Sequence, residues 1–252
     1  MKHYQLSPLP GFQHTELEET TSTNDWAHEH LAELQCPLSL VTAEFQTAGR
    51  GATGGWQSRR GENLMFSLVS HPAQLPATQM FRLSVAICIS VCNALNEVSP
   101  GFCIKWPNDV YHGDRKVVGI LIENELQGKF VSTCIMGVGV NVNQTTFSPD
   151  APNPTSLALI TGKPVDRSAV LQRIIDNFHR LLTVVQRPDL WPGVFDEYHR
   201  LLYRRSGFHA FTDEKGTFEA EIVEVEPAGH LVLRDREGQI RRYAFKEVSY
   251  II

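Results

Sequence analysis

Apolar and polar positions along the chain follow two periods, and the switches between them mark the elements. Trp26, Ala27, Leu31 and Leu34 fall at helical spacing directly after Thr21, Ser22, Thr23, Asn24 and Asp25. Ser22 with an acid three residues on predicts a capping box at the start of that helix. Apolar runs at 39–45 and 63–69 predict strands, and the Gly- and Arg-rich stretch between them has no period. A long apolar run predicts a helix over 78–98, followed by a short strand at 102–106 that Pro107 breaks. Residues 116–125 and 129–143 predict two strands joined in a hairpin at Gln127 and Gly128. Residues 151–166 are Pro-rich and irregular. From Ser168 onward, Leu171, Ile174, Ile175, Phe178, Leu181, Leu182 and Val185 lie on one helical face, and Val194, Phe195, Tyr198 and Leu201 mark a second helix.

From about Ser206 the pattern becomes one of short alternating strands, at 217–226, 230–235, 239–245 and 248–252. This predicts a small β-barrel behind a larger unit, an α+β chain divided into 1–203 and 204–252. With 252 residues and 42% hydrophobic content, the chain can bury a substantial core. The formal net charge is -5, and residues 200–252 carry as many acids as bases, so no nucleic-acid partner is expected. No run of consecutive apolar residues approaches a membrane span, and the N-terminus is polar, without a secretory core. Cys36, Cys88, Cys92, Cys103 and Cys134 form no C-x-x-C pair, which predicts reduced thiols and a cytoplasmic location.

Gly49, Arg50, Gly51, Ala52, Thr53 and Gly54 spell G-x-G-x-x-G after a predicted strand. A dinucleotide fold needs a helix to open there, and the following residues, through Gly61, are poor helix formers. Residues 46–61 hold Arg50, Arg59 and Arg60 and no acid, which suits a mobile loop that closes over an anion as well as a solvated surface loop with incidental arginines. Further on, Lys105, Trp106, Pro107, Asn108 and Asp109 sit at a strand end, with Lys116 seven residues beyond Asp109. A hairpin there can bring both lysines to one pocket.

Taken together, these segments resemble the biotin–protein ligase family. Its pattern reads S-T-N, Q-x-A-G-R-G before a Trp, K-W-P-N-D, K-x-x-G-I-L-x-E and G-x-G-x-N. Here these are Ser22 to Asn24, Gln46 to Gly51 with Trp56, Lys105 to Asp109, Lys116 to Glu123, and Gly137 to Asn141, in family order and spacing. The resemblance implies a mixed-sheet catalytic domain closed by an SH3-like module. It implies activation of biotin by ATP with Mg²⁺ to biotinyl-AMP, then transfer to a lysine of a biotin carboxyl carrier protein domain, by a monomer or homodimer. By resemblance, Ser22, Thr23, Asn24, Gln46, Gly49, Arg50, Gly51, Lys116 and Gly119 would hold biotin. Ala52, Trp56, Asn108 and Asn141 would face the nucleotide, with Trp56 against adenine or in the core. Lys116, Lys105, Arg50 and Asp109 would carry the chemistry, and Asp109 with the ATP phosphates would help to hold Mg²⁺.

The nearest alternative, a lipoate–protein ligase, is signalled by an R-R-x-S-G-G-G run and a downstream H-D pair, both absent here. No counterpart of the family's DNA-binding winged helix is expected before Ser22, and so no repressor role. The loop departs from the family's G-R-G-R-x-G-R-x-W: it is one residue shorter and carries Ala52 where an arginine is usual. Ala52 cannot reach a carboxylate or phosphate, and the Gly-rich loop has much chain entropy to lose on closing. Ala52→Arg is therefore expected to slow release of pre-formed biotinyl-AMP about tenfold, for ~1.4 kcal/mol of restored interaction. The check is its dissociation rate without acceptor; equal, slow rates in both forms would mean that other residues seal the site.

Overall fold

The period-two segments pair into two sheets. The computed structural model describes residues 4–51, 55–149, 151 and 153–252. In chain order the elements are β1 (Phe12–Leu17), α1 (Thr23–Glu29), β2 (Leu38–Ala43), β3 (Leu64–Ser70), α2 (Phe81–Asn96), β4 (Phe102–Lys105), β5 (Asp109–His112), β6 (Arg115–Gln127) and β7 (Phe130–Val140). Then follow α3 (Leu157–Thr161), α4 (Arg167–Val185), α5 (Trp191–Arg200), β8 (His209–Asp213), β9 (Gly216–Val225), β10 (Leu231–Asp235), β11 (Ile240–Tyr243) and β12 (Ser249–Tyr250). The larger sheet has seven strands in the order β1-β2-β3-β7-β6-β5-β4, and the smaller has five, β11-β10-β9-β8-β12. Only β1 and β2 run parallel, so the large sheet is mixed.

The two faces of the large sheet do different jobs. On one, Leu64, Phe66 and Leu68 of β3 and Cys134, Met136, Val138 and Val140 of β7 join α2 and α4 in the main core. α2 is buried almost all round, which is why its sequence shows no polar stripe. With its 3-10 entry, the segment Ala77–Asn96 is long and apolar enough to cross a membrane, but here it is the central core helix. α4 is amphipathic, and the Asp166 side chain caps it by accepting from the Ser168 and Ala169 N–H groups at 2.9 and 3.4 Å. On the other face, α1 packs a small cluster of Ala27, Leu34, Val41, Val69 and Ile135.

The small sheet sits beside the β4 and β5 end of the large one. Ile104 N–H donates to the Leu201 carbonyl at 2.7 Å and Tyr203 N–H to the Ile104 carbonyl at 2.8 Å, covering the β4 edge. Trp106 Nε1 donates to the Gly229 carbonyl at 3.0 Å. The five cysteines are free, and burial pushes the Cys88, Cys92 and Cys134 thiols well above their ordinary pKa, which leaves them unreactive.

Several elements differ from the sequence reading. β1 is a half-buried edge strand of mixed polarity, β5 is four residues squeezed between Pro107 and Gly113, and β8 opens the small sheet; none has a pattern long enough to read. α1 is short and breaks into a 3-10 turn at Leu31–Glu33. Ser22 does occupy its N-cap, yet its side chain makes no cap hydrogen bond, so the capping box does not form. As read from the sequence, no helix follows the G-x-G-x-x-G segment: Gly55 to Glu62 is non-helical.

A buried ion pair fixes the base of that segment. Both guanidinium nitrogens of Arg167, at the start of α4, donate to the Glu44 carboxylate at 3.1 Å, and Nη1 also donates to the Asn63 carbonyl and to Tyr4 Oη. The Arg167 and Glu44 side chains are only 17% and 6% exposed. Arg167→Ala leaves the Glu44 charge buried and unpaired, so it is expected to lower unfolding free energy by about 3–5 kcal/mol. The measurement is the urea midpoint at constant slope; a shift worth under about 1 kcal/mol, the worth of an exposed pair, would show that water reaches Glu44.

Candidate active site

Three glycines strip side chains from one patch of the large sheet. Gly119 of β6 pairs with Gly139 of β7, which pairs with Met65 of β3; one row away, Leu121, Gly137 and Ser67 are in register. On this face a Cβ at Gly139 would lie 2.3 Å from Trp56 Cε2, and one at Gly137 would lie 2.3 Å from Asn24 Oδ1. The bare patch is the floor of a cleft of about 820 Å³. Its walls come from the start of α1, the segment around Arg50 and Trp56, the Lys105 to Asp109 turn, and the C-terminal strands.

One end of the cleft is neutral and rich in hydrogen-bonding groups. Ser22, Thr23 and Asn24 are buried there. The Ser67 hydroxyl lies 2.7 Å from Thr23 Oγ1 and 2.6 Å from Asn24 Oδ1. One proton serves one acceptor, so Ser67 donates to Asn24 and accepts from Thr23. Gln46 Oε1 accepts from the Thr23 N–H at 2.7 Å, while Asn24 Nδ2 donates to Glu123 at 2.7 Å. Ser22 lines the cleft with its hydroxyl not used by the helix.

The other end is cationic. Lys116 and Asp109 face each other across a hairpin, with Nζ to Oδ2 at 2.8 Å. Lys105 forms no ion pair among the described residues; its ammonium lies over the rings of Tyr111 and Tyr250, 5.5 and 4.7 Å from their centroids. Burial pushes its pKa below the ordinary lysine value; Asp109 pulls it back, and Lys116 and Arg204 push it further down. An incoming anion relieves that penalty. Asn108 Nδ2 donates to the Ile120 carbonyl at 2.7 Å, which locks the turn to β6. Asn141 Nδ2 donates to the Thr155 carbonyl at 3.1 Å.

Between these ends, the Trp56 side chain lies over the floor. Trp56 N–H donates to the Gly49 carbonyl at 2.7 Å, and Arg50 bridges to Gly55. The Trp56 indole lies on Gly119 and Gly139, with Nε1 buried and without a partner. Arg50 lines the cleft, but Nη2 is held by Asp25 Oδ1 at 2.7 Å and Glu123 Oε2 at 2.9 Å. Gly51 and Gly119 line the cleft; Gly49 does not, and sits instead at the neck of the loop. Ala52 lies outside the described residues. Arg60 is tied to Glu18 and Glu19 and stacks on Phe45, and neither it nor Arg59 lines the cleft.

The cleft also takes residues that carried no motif. Tyr111, Gln144, Phe147, Phe245 and Tyr250 line it. Tyr111 and Tyr250 alternate with core positions on short strands, and only their partnership with Lys105 distinguishes them.

The family model for the biotin/lipoate A/B protein ligase family matches residues 16–141. The chain is 31% identical over 238 residues to the bifunctional ligase/repressor BirA of Bacillus spizizenii, which spans 89% of this chain and 70% of that protein. It is 33% identical over 171 residues to the biotin–[acetyl-CoA-carboxylase] ligase of Paracoccus denitrificans, or 65% of this chain and 70% of that one. Among solved structures, the biotin protein ligase from Aquifex aeolicus in complex with biotin and ATP aligns with a TM-score of 0.76 at 27% identity, over 94% of this chain and 97% of that one.

The floor makes a sharp expectation. A methyl group at position 139 and the Trp56 indole cannot share the same space, so Gly139→Ala should lift the indole from the sheet. The emission component that Trp56→Phe removes should then become more accessible to acrylamide in Gly139→Ala. Unchanged quenching would mean that the strands, not the indole, give way.

Proposed function

The chain belongs to the biotin/lipoate A/B protein ligase family, and from that premise we propose that it is a biotin–protein ligase acting in two ATP-dependent steps. The observation that carries this reading is the polarity of the cleft, with a neutral hydrogen-bonding end and a cationic end on one bare floor. Biotin has matching polarity: a neutral ureido head, an apolar tail and a carboxylate. Leaving a ureido donor or acceptor unpaired would cost about 1–3 kcal/mol each, and Ser22, Thr23, Asn24 and Gln46 supply neutral partners. The floor and the Trp56 indole suit the apolar tail, which leaves the carboxylate beside Lys116.

In the first step a biotin carboxylate oxygen attacks the α-phosphorus of ATP, and pyrophosphate leaves with the electron pair of the broken P–O bond. Two anions must meet, and each unit-charge pair at ~4 Å with an effective dielectric near 20 repels by roughly 4 kcal/mol. Lys116 is assigned to the carboxylate and α-phosphate, and Lys105 to the developing phosphate charge, an electrostatic role for both. Asn108 and Asn141 act by holding the turn and the nucleotide-side wall. In the second step the acceptor's lysine amine attacks the anhydride carbonyl, AMP leaves and the amine loses a proton. The acceptor is a biotin carboxyl carrier protein domain.

Magnesium fits as an ion delivered with the triphosphate. Among the described residues no cluster of His, Cys, Asp and Glu could hold a metal, and Asp109 is the sole acidic side chain lining the cleft. One carboxylate plus substrate phosphates and water is how Mg²⁺ is commonly bound, and it supplies charge neutralisation on the leaving group. We assign residues 1–203 to catalysis and 204–252 to the module that closes the cationic end, and the reduced cysteines fit a cytoplasmic setting.

With ATP and Mg²⁺, biotin should stimulate exchange of labelled pyrophosphate into ATP, and lipoate should not. Absence of exchange at millimolar ATP would overturn the reading. Lys116→Ala should slow exchange at least ten- to a hundredfold, since a charged hydrogen bond is worth about 1.5–3 kcal/mol. An unchanged rate would remove Lys116 from the chemistry.

A further inference from the structure

We propose that Tyr250, in the last strand of the chain, is a positioning residue that serves the reaction through the face of its ring, holding the Lys105 ammonium charged and unneutralised at the cationic end of the cleft. This rests on the adenylation reading above and adds to it a role for the small sheet.

The two lysines of the site are kept in opposite ways. Lys116 has a carboxylate partner, Asp109, at 2.8 Å. Lys105 is more deeply set and burial disfavours its charged form. Asp109, paired with Lys116, acts on it only from beyond ion-pair distance, and no other carboxylate pairs with it among the described residues. What faces it is aromatic: Tyr250 at 4.7 Å and Tyr111 at 5.5 Å, both within the ~6 Å over which a ring face attracts a cation. Burial pushes both phenols above their ordinary pKa, so neither ring turns into a phenolate counter-ion. A neutral ring stabilises an ammonium without cancelling its charge and need not be displaced when a polyphosphate arrives. A carboxylate at the same place would repel that ligand.

The geometry of Tyr250 is set by the small sheet and by the segment that leads into it. It pairs with Phe211 across β8 and β12, and its ring packs on those of Phe211 and Tyr203 at 4.9 and 5.8 Å. On its C-terminal side, Ile251 N–H donates to the Ala210 carbonyl at 3.0 Å, and Arg204 donates to the Ile251 carbonyl at 2.7 Å. Its hydroxyl is buried with no hydrogen-bond partner. A tyrosine whose hydroxyl bonds to nothing and whose face covers the one unpaired cation of the cleft is being used for its ring.

The test compares rings rather than presence and absence. Tyr250→Phe keeps the face and loses only the idle hydroxyl, so ATP KM, kcat for pyrophosphate exchange and biotin Kd should stay within about twofold of the parent. Tyr250→Met fills similar space without a π face and should raise ATP KM about tenfold, leaving calorimetric biotin binding unchanged. Phenylalanines of increasing fluorination at position 250 keep the shape and drain the face, so ATP KM should climb steadily across the series. That series also decides the matter if Tyr250→Met fails to fold. A flat response, or a Tyr250→Phe variant as impaired as Tyr250→Met, overturns the proposal while the parent still exchanges. A parent that does not exchange fails the reading beneath it instead.

Discussion

The site depends on a patch of sheet without side chains. In a strand, successive residues point to opposite faces, so Val118, Ile120, Val138 and Val140 can fill the core while Gly119, Gly137 and Gly139 leave the other face bare. Each glycine costs roughly 0.5–1 kcal/mol in chain entropy relative to alanine. That cost is offset on the opposite face, where the same strands bury large apolar side chains against α2 and α4. Stability and function therefore occupy two sides of one sheet, and a register slip of one residue would exchange them.

Around that floor, each cation is restrained by a different means. Asp109 pairs Lys116, Asp25 and Glu123 hold Arg50, and aromatic rings cover Lys105. Only the last has no carboxylate at ion-pair distance among the described residues. Lys105 and Lys116 thus stand at one end of the cleft, while Arg50 is held by acids at its rim. Under the proposed reaction, that is the end where two negative ligands meet.

Much of this was legible in the sequence because motif residues cluster at element ends. Ser22 to Asn24, Lys105 to Asp109, Lys116 and Gly119 do line one cleft. The failures have physical causes. The capping box at Ser22 and Asp25 looked sound locally, but Asp25 pairs with Arg50 and the Ser22 hydroxyl faces the cleft, so tertiary partners outweighed the local one. β5 and β8 are too short to show a period. Tyr111 and Tyr250 carry no motif, since a cation over a ring depends on two segments distant in the chain meeting in space. Gly49 fitted the ligand-binding motif, yet its place is at the neck of the loop, where Trp56 closes on it.

The position of Arg50 raises the question of whether it can ever serve an anion in the cleft, since it already has two acidic partners. The magnitudes decide it. Arg50 and Asp25 are 41% and 38% exposed. Pairs that open to water contribute about 0–1 kcal/mol, because solvent screens them and two long side chains must be ordered. A carboxylate or phosphate ~4 Å from the guanidinium offers roughly 4 kcal/mol of gross Coulomb attraction at an effective dielectric near 20, before desolvation. Releasing Arg50 from the rim acids therefore costs little, so those acids do not bar it from an anion in the cleft. The rim acids set where the Arg50 side chain rests in this structure. Because Arg50 sits one residue past Gly49, the guanidinium can swing while the Trp56 N–H to Gly49 carbonyl bond keeps the neck of the loop shut. Engaging an anion then asks for a movement of that side chain alone, with the floor and both lysines already in place.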